Sequence, residues 1–217
     1  MRNRSESIRR MVLLAMLAAV SYLIVSFVRI PVVLFLKYEP KDVVITIGGF
    51  LFGPMASFIV SLVVSLLEMV TISETGPIGC FMNLLSTCSF ACAAAFVYKK
   101  RHNIGGALLG LVLGSVLMVI SMLLWNWLIT PLYMGVSREE LEAMLIPVFL
   151  PFNLLKAGLN SALTLALYKP LTSALRTAKL LPEAPRPAGS AKPGIYVFAA
   201  ILLVTCIFYL LVLQGKL

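Results

Sequence analysis

The chain has 217 residues, of which 60% are hydrophobic and 12% charged, with a formal net charge of +9. Soluble domains carry roughly 25% charged residues, so this apolar excess exceeds any soluble core at this length and lipid must solvate most of it. The basic residues sit at the ends of apolar segments and are not interleaved with aromatics on a polar surface, which excludes a nucleic-acid binder and fits membrane topology.

Residues 11–28 are uncharged between Arg10 and Arg29 and nearly span a bilayer. Basic residues precede this run, as in a signal peptide, but no small-x-small cleavage pattern follows, so it reads as a retained first helix. Gly48, Gly49, Gly53 and Pro54 interrupt the next apolar run. Phe52-Gly53-Pro54 predicts a tight turn between a short helix 2 over 42–52 and a helix 3 over 54–70. A short helix at membrane depth must be shielded by protein or line a cavity. Helix 4 is predicted over 77–98, before Lys99-Lys100-Arg101-His102, and helix 5 over 105–130. A polar segment with Arg138, Glu139, Glu140 and Glu142 follows, and helix 6 is expected to start between Pro147 and Pro151 and to end near Tyr168. The layout is a membrane domain over 1–176, a Pro/Ala-rich linker over 177–194 and an additional apolar helix over 195–217.

With the N-terminus in the cytoplasm, twelve basic residues fall in inner segments and five in outer ones, with Lys156 inside helix 6. This positive-inside asymmetry predicts a multi-pass protein of the bacterial inner membrane with a cytoplasmic N-terminus. Cys80, Cys88, Cys92 and Cys206 lie in apolar stretches with no CxxC pair, and the single histidine, His102, is in a basic loop, so they predict packing residues and no metal site.

Lys156 is the most informative residue, since a lysine within a membrane helix costs about 2.5–3.5 kcal/mol on insertion scales. It either snorkels to the outer surface or faces protein, water or ligand. Asn153, Lys156 and Asn160 share one helical face at i, i+3, i+7, which favours the second reading. Asn126, between Trp125 and Trp127, and Asn83, near the outer end of helix 4, fall at the same depth, with Tyr38, Glu39, Asp42 and Glu68 nearby. Such polar groups either glue helices together or line a pocket. Their confinement to one leaflet favours an outward-open pocket for a polar, largely planar molecule, whose imide or pyrimidine-like edge would meet amides and an ammonium. Ala15 and Ala19 form a small-xxx-small pair that suits either internal packing or docking of another membrane subunit.

At these residues the sequence resembles the substrate-binding (S) components of energy-coupling factor (ECF) transporters, most closely the riboflavin-specific ones. The resemblance rests on Ala15-x-x-x-Ala19; on Lys37-Tyr38-Glu39-Pro40-Lys41-Asp42-Val43 and the Gly-Phe-Leu-Phe-Gly-Pro stretch ending at Pro54; on Gly76-Pro77-Ile78-Gly79-Cys80-Phe81-Met82-Asn83; and on Asn126, Thr130-Pro131-Leu132-Tyr133 and Asn153-Leu154-Leu155-Lys156. It implies an all-α integral membrane protein with a six-helix S-component-like bundle, to which this chain adds a C-terminal transmembrane helix. It also implies riboflavin, and FMN as a candidate, as the transported ligand, with partners comprising a transmembrane coupling subunit and two ATPases. By the same resemblance Asn126, Asn153 and Lys156 contact the polar edge of the flavin, with Asn83 a further carry-over. Tyr38 and its neighbours, Asp42 included, belong to the loop closing over the ligand, and Ala15 and Ala19 meet the coupling subunit. Another vitamin, such as thiamine or a folate-like pterin, is the alternative ligand. An integral-membrane lipid-phosphate transferase is the alternative class, but the chain lacks clustered acids or histidines for catalysis. No Walker A loop is present, so partners would hydrolyse ATP.

Overall fold

The computed structural model describes residues 4–34, 36–135, 137–178 and 193–216. Among these residues, seven helices and one hairpin follow in chain order: α1 (Arg4–Phe27), β1 (Ile30–Val33), β2 (Leu36–Tyr38), α2 (Lys41–Phe52), α3 (Pro54–Thr71), α4 (Gly76–Lys100), α5 (Ile104–Met134), α6 (Arg138–Thr177) and α7 (Pro193–Leu213). Six of these helices are long and apolar enough to cross a membrane, α2 being too short. Residues 179–192, most of the expected linker, lie outside the described residues.

On α1, Leu13, Leu17, Ala18, Ser21 and Val25 form one buried face, which packs against α2 and α3. Its opposite face leaves Met11, Val12, Met16, Val20 and Leu23 exposed, the lipid side of a membrane helix. Twelve-residue α2 is buried along most of its length, so protein and not lipid shields its backbone ends. It hands over to α3 at Gly53, whose φ of 92° lies in the left-handed region that glycine adopts without strain. The expected turn is therefore present.

Several helix ends differ from the sequence expectation for one reason: hydropathy marks where a helix leaves the apolar layer, and hydrogen bonding marks where the helix stops. α1 starts before the uncharged run and includes Glu6, Arg9 and Arg10. α5 continues through Pro131 to a left-handed Gly135 (φ 68°). The acidic segment 138–142 is the first part of α6, started by a capping box in which Ser137 and Glu140 satisfy each other's backbone N–H. α6 also runs past Lys169-Pro170 to Thr177. Both α4 and α6 contain one wide π-turn, at Cys88–Cys92 and Leu145–Phe149. The second absorbs Pro147, where the sequence suggested a helix start.

The hairpin is an addition to the sequence reading. β1 and β2 are antiparallel, pairing Ile30 with Tyr38, Pro31 with Lys37 and Val33 with Leu36. The β-branched run Ile30-Pro31-Val32-Val33 was its available signal. The hairpin buries Val32, Leu36 and Tyr38 in a cluster with Leu141, Phe149, Phe152, Leu155 and Leu159 of α6. A second core, around Phe90, Leu111 and Met118, fills the bundle. At the end remote from the hairpin, Tyr98 and Tyr168 share a hydroxyl hydrogen bond of 2.8 Å, and Phe50 stacks on Tyr98 with ring centroids 4.5 Å apart.

Candidate functional site: a polar cavity beneath the hairpin

The hairpin, the connection from α3 to α4 and the adjoining ends of α4–α6 line a cavity of about 240 Å³. Asn83, Asn126, Asn153 and Lys156 all line it, as do Leu36, Met82, Met122 and Phe152. Amide, ammonium and apolar side chains therefore share one lining. Lys156 is 7% exposed, and its Nζ donates to Ser86 Oγ at 3.2 Å and lies 3.3 Å from Asp42 Oδ2. It does not snorkel away from the bundle.

The asparagine amides are held in fixed orientations. Asn126 Nδ2 donates to the Met122 carbonyl at 2.7 Å, and its Oδ1 accepts from Thr130 Oγ1 at 3.0 Å. This arrangement leaves one amide N–H for a ligand. Asn153 Nδ2 donates to the Phe149 carbonyl at 2.8 Å, which leaves its second N–H and its carbonyl oxygen. With the Lys156 ammonium, the cavity offers donors and an acceptor to one edge of a guest. Asn83 Nδ2 donates to Glu68 Oε2 at 2.8 Å.

Tyr38 and Asp42 stand differently from their neighbours: neither is among the lining residues. Asp42 is fully buried, accepting from Thr87 Oγ1 at 2.7 Å and Asn160 Nδ2 at 3.2 Å. Tyr38 donates its hydroxyl to Asn160 Oδ1 at 3.0 Å, and burial together with the Asp42 carboxylate and Cys206 raises the phenol above its ordinary range. Asn160, noticed in the sequence only for its helical phase, is thus the junction between hairpin, Asp42 and α6. These residues stand one layer behind the cavity, where they hold Lys156 and the hairpin in place.

A second charged chain went unread in the sequence. Lys41 Nζ meets both Glu68 oxygens at 2.6 Å and Glu39 at 2.8 Å, and Arg29 meets Glu39 at 3.3 Å. The predicted helix 2 starts at 42 and leaves Lys41 outside it, but α2 begins at Lys41 and its first turn lies inside the protein. The signal was Glu68 itself, an acid in an apolar helix that needs a buried partner. Around the cavity, Arg29, Lys41 and Lys156 balance Glu39, Asp42 and Glu68, three charges of each sign. At the rim Lys37 pairs with Glu74 at 3.1 Å. Among the described residues no group of three or more His, Cys, Asp or Glu is placed to hold a metal ion.

On α1, Ala15 and Ala19 lie on the exposed face and Ala18 is buried. The small-residue pair is therefore available to another membrane helix and is not spent on internal packing.

A walled, charge-balanced polar cavity at one end of a multi-pass helical bundle defines a membrane-embedded substrate-binding protein. Comparison with known proteins agrees. The profile of the ECF transporter, substrate-specific component family matches residues 9–168. A solved structure of the S component of a bacterial ECF transporter has a TM-score of 0.68 and 27% sequence identity, covering 78% of this chain and 99% of that one. The riboflavin transporter RibU of Staphylococcus aureus is 28% identical over 177 residues, covering 77% of this chain and 93% of that protein. RibU of Streptococcus thermophilus is 30% identical, covering 77% and 84%, and the riboflavin transporter FmnP of Bacillus subtilis is 26% identical, covering 69% and 84%. The chain belongs to the family of ECF transporter substrate-specific components. As such it is a transporter subunit and not an enzyme, and it works with other components of an ECF transporter.

Proposed function

We propose that this chain captures riboflavin at the outer face of a bacterial cell membrane, as the substrate-binding subunit of an ATP-driven ECF transporter. The observation that carries the ligand choice is that Asn126, Asn153 and Lys156 line one cavity together with the apolar side chains of Leu36, Met82, Met122 and Phe152. A flavin is a flat ring system with apolar faces and one edge of alternating donors and acceptors, and these groups complement that edge. The relatives named as riboflavin transporters support the same choice. Charge balance adds to it: three cations already paired with three anions around the cavity suit an uncharged guest. Cationic thiamine and anionic folates match that balance less well, and so does flavin mononucleotide, whose phosphate would need cations not already paired.

In this reading the N-terminus is cytoplasmic and the cavity opens outward, as the twelve-to-five distribution of basic residues indicates. A transmembrane coupling subunit docks at Ala15 and Ala19, and two ATPases supply the energy. Tyr38 and Asp42 contribute by holding the hairpin and Lys156. Uptake of labelled riboflavin by cells lacking another route tests this. Accumulation is expected only when this chain, the coupling subunit and the ATPases are expressed together. Accumulation driven by this chain without the ATPases would contradict the assignment.

A further inference from the structure

The family match ends at residue 168, so nothing in the family relationship accounts for α7. The helix is not a loosely attached anchor. It lies along α6 by a narrow stripe: Ala199 and Cys206 are buried, and Leu202, Leu203, Leu210 and Leu213 pack into the cluster that also holds Val32, Leu36 and Tyr38 of the hairpin. Close approach is permitted by Gly158, where a Cβ would come within 2.7 Å of Cys206 Sγ. At the far end of α7, Gln214 Nε2 donates to the Pro31 carbonyl of β1 at 2.5 Å. Thus α7 reaches the hairpin twice, once through its apolar stripe and once through a side-chain hydrogen bond.

The hairpin in turn walls the cavity, through Leu36 and Lys37. At about 240 Å³ the cavity falls below the roughly 300–1,000 Å³ of typical small-molecule sites. A three-ring guest fills more than this space, and the hairpin is the wall that α7 touches. We propose that Gln214 and the Leu210–Leu213 end of α7 are positioning residues that hold the hairpin closed, so that α7 sets how fast the cavity opens. The brace favours the closed hairpin with and without a guest. Its loss speeds binding and release together and leaves the equilibrium affinity nearly unchanged.

This rests on the hairpin closing a ligand site, but the brace itself can be tested without any ligand. The full-length protein would be compared with Gln214→Met, which keeps the side-chain length and loses the donor, with Gln214→Lys, which restores a donor, and with Leu210→Ala. Loss of one hydrogen bond is expected to speed backbone hydrogen exchange at hairpin residues 30–38 by about three- to tenfold in Gln214→Met. Leu210→Ala should act in the same direction, and Gln214→Lys should return exchange towards the parent rate. Stopped-flow quenching of riboflavin fluorescence should then show both rate constants rising in Gln214→Met, with Kd within about twofold of the parent's. Unchanged hairpin exchange in Gln214→Met, or faster exchange across the whole bundle, would overturn the brace. A parent protein that ignores riboflavin would overturn the ligand assignment and leave the exchange result standing.

Discussion

Lys156 does two things at once, and a substitution there must be read accordingly. Its ammonium lines the cavity and also compensates Asp42, which is fully buried 3.3 Å away. Removing one partner of a buried pair is destabilising by about 3–5 kcal/mol, because the other charge is left alone. Lys156→Met should therefore lose stability as well as binding. The double variant Lys156→Met with Asp42→Asn should regain much of the stability, read as thermal unfolding in detergent, yet still bind riboflavin roughly ten- to a hundredfold more weakly, because a charged hydrogen bond to the ligand is missing. Recovery of parental affinity in the double variant would show that Lys156 serves only as Asp42's partner. The sequence reading located Lys156 and its asparagine neighbours, since a cation and two amides on one face of an apolar helix have few explanations. It could not separate cavity lining from backing. Tyr38 and Asp42 sit a few residues from lining positions but spend their polar atoms on Asn160, and that distinction depends on packing between residues 122 and 118 positions apart in sequence.

At the scale of elements, legibility followed hydropathy. The six long helices and the Gly53 turn could be read because apolar runs, Gly-Pro pairs and basic flanks mark them directly. The hairpin and the helical segment Arg138–Met144 were harder to read, because a four-residue strand and a short capped helix outside the apolar layer are weaker marks than these. The same scale separates binding from coupling. Ala15 and Ala19 face outward from α1, away from the cavity. Replacing both with leucine should leave riboflavin affinity within about twofold while reducing uptake by about tenfold or more, since bulky side chains prevent close helix approach. The paired measurement is a binding titration on purified protein and an uptake assay on cells. A loss of affinity in the double variant would instead assign these alanines to the fold.

Taken whole, the molecule places apolar surface against lipid and gathers its buried charge at one end. Charges of that kind are expensive in a membrane protein and persist where they are paired and used. Here Lys41 and Asp42 on α2, Glu68 on α3 and Lys156 on α6 are paired with one another, and the partly buried Arg29 and Glu39 of the connecting segments extend the set. The result is an electrically balanced frame around a cavity that the hairpin helps to wall. The family to which the chain belongs puts that frame to use in capturing a substrate for transport. The most direct test is equilibrium titration of the detergent-purified protein with riboflavin, following flavin fluorescence. Saturable quenching at one ligand per chain, undisturbed by excess thiamine or folate, is the expected result. Unquenched fluorescence over the whole titration would contradict riboflavin capture and leave a substrate-specific component with a different ligand.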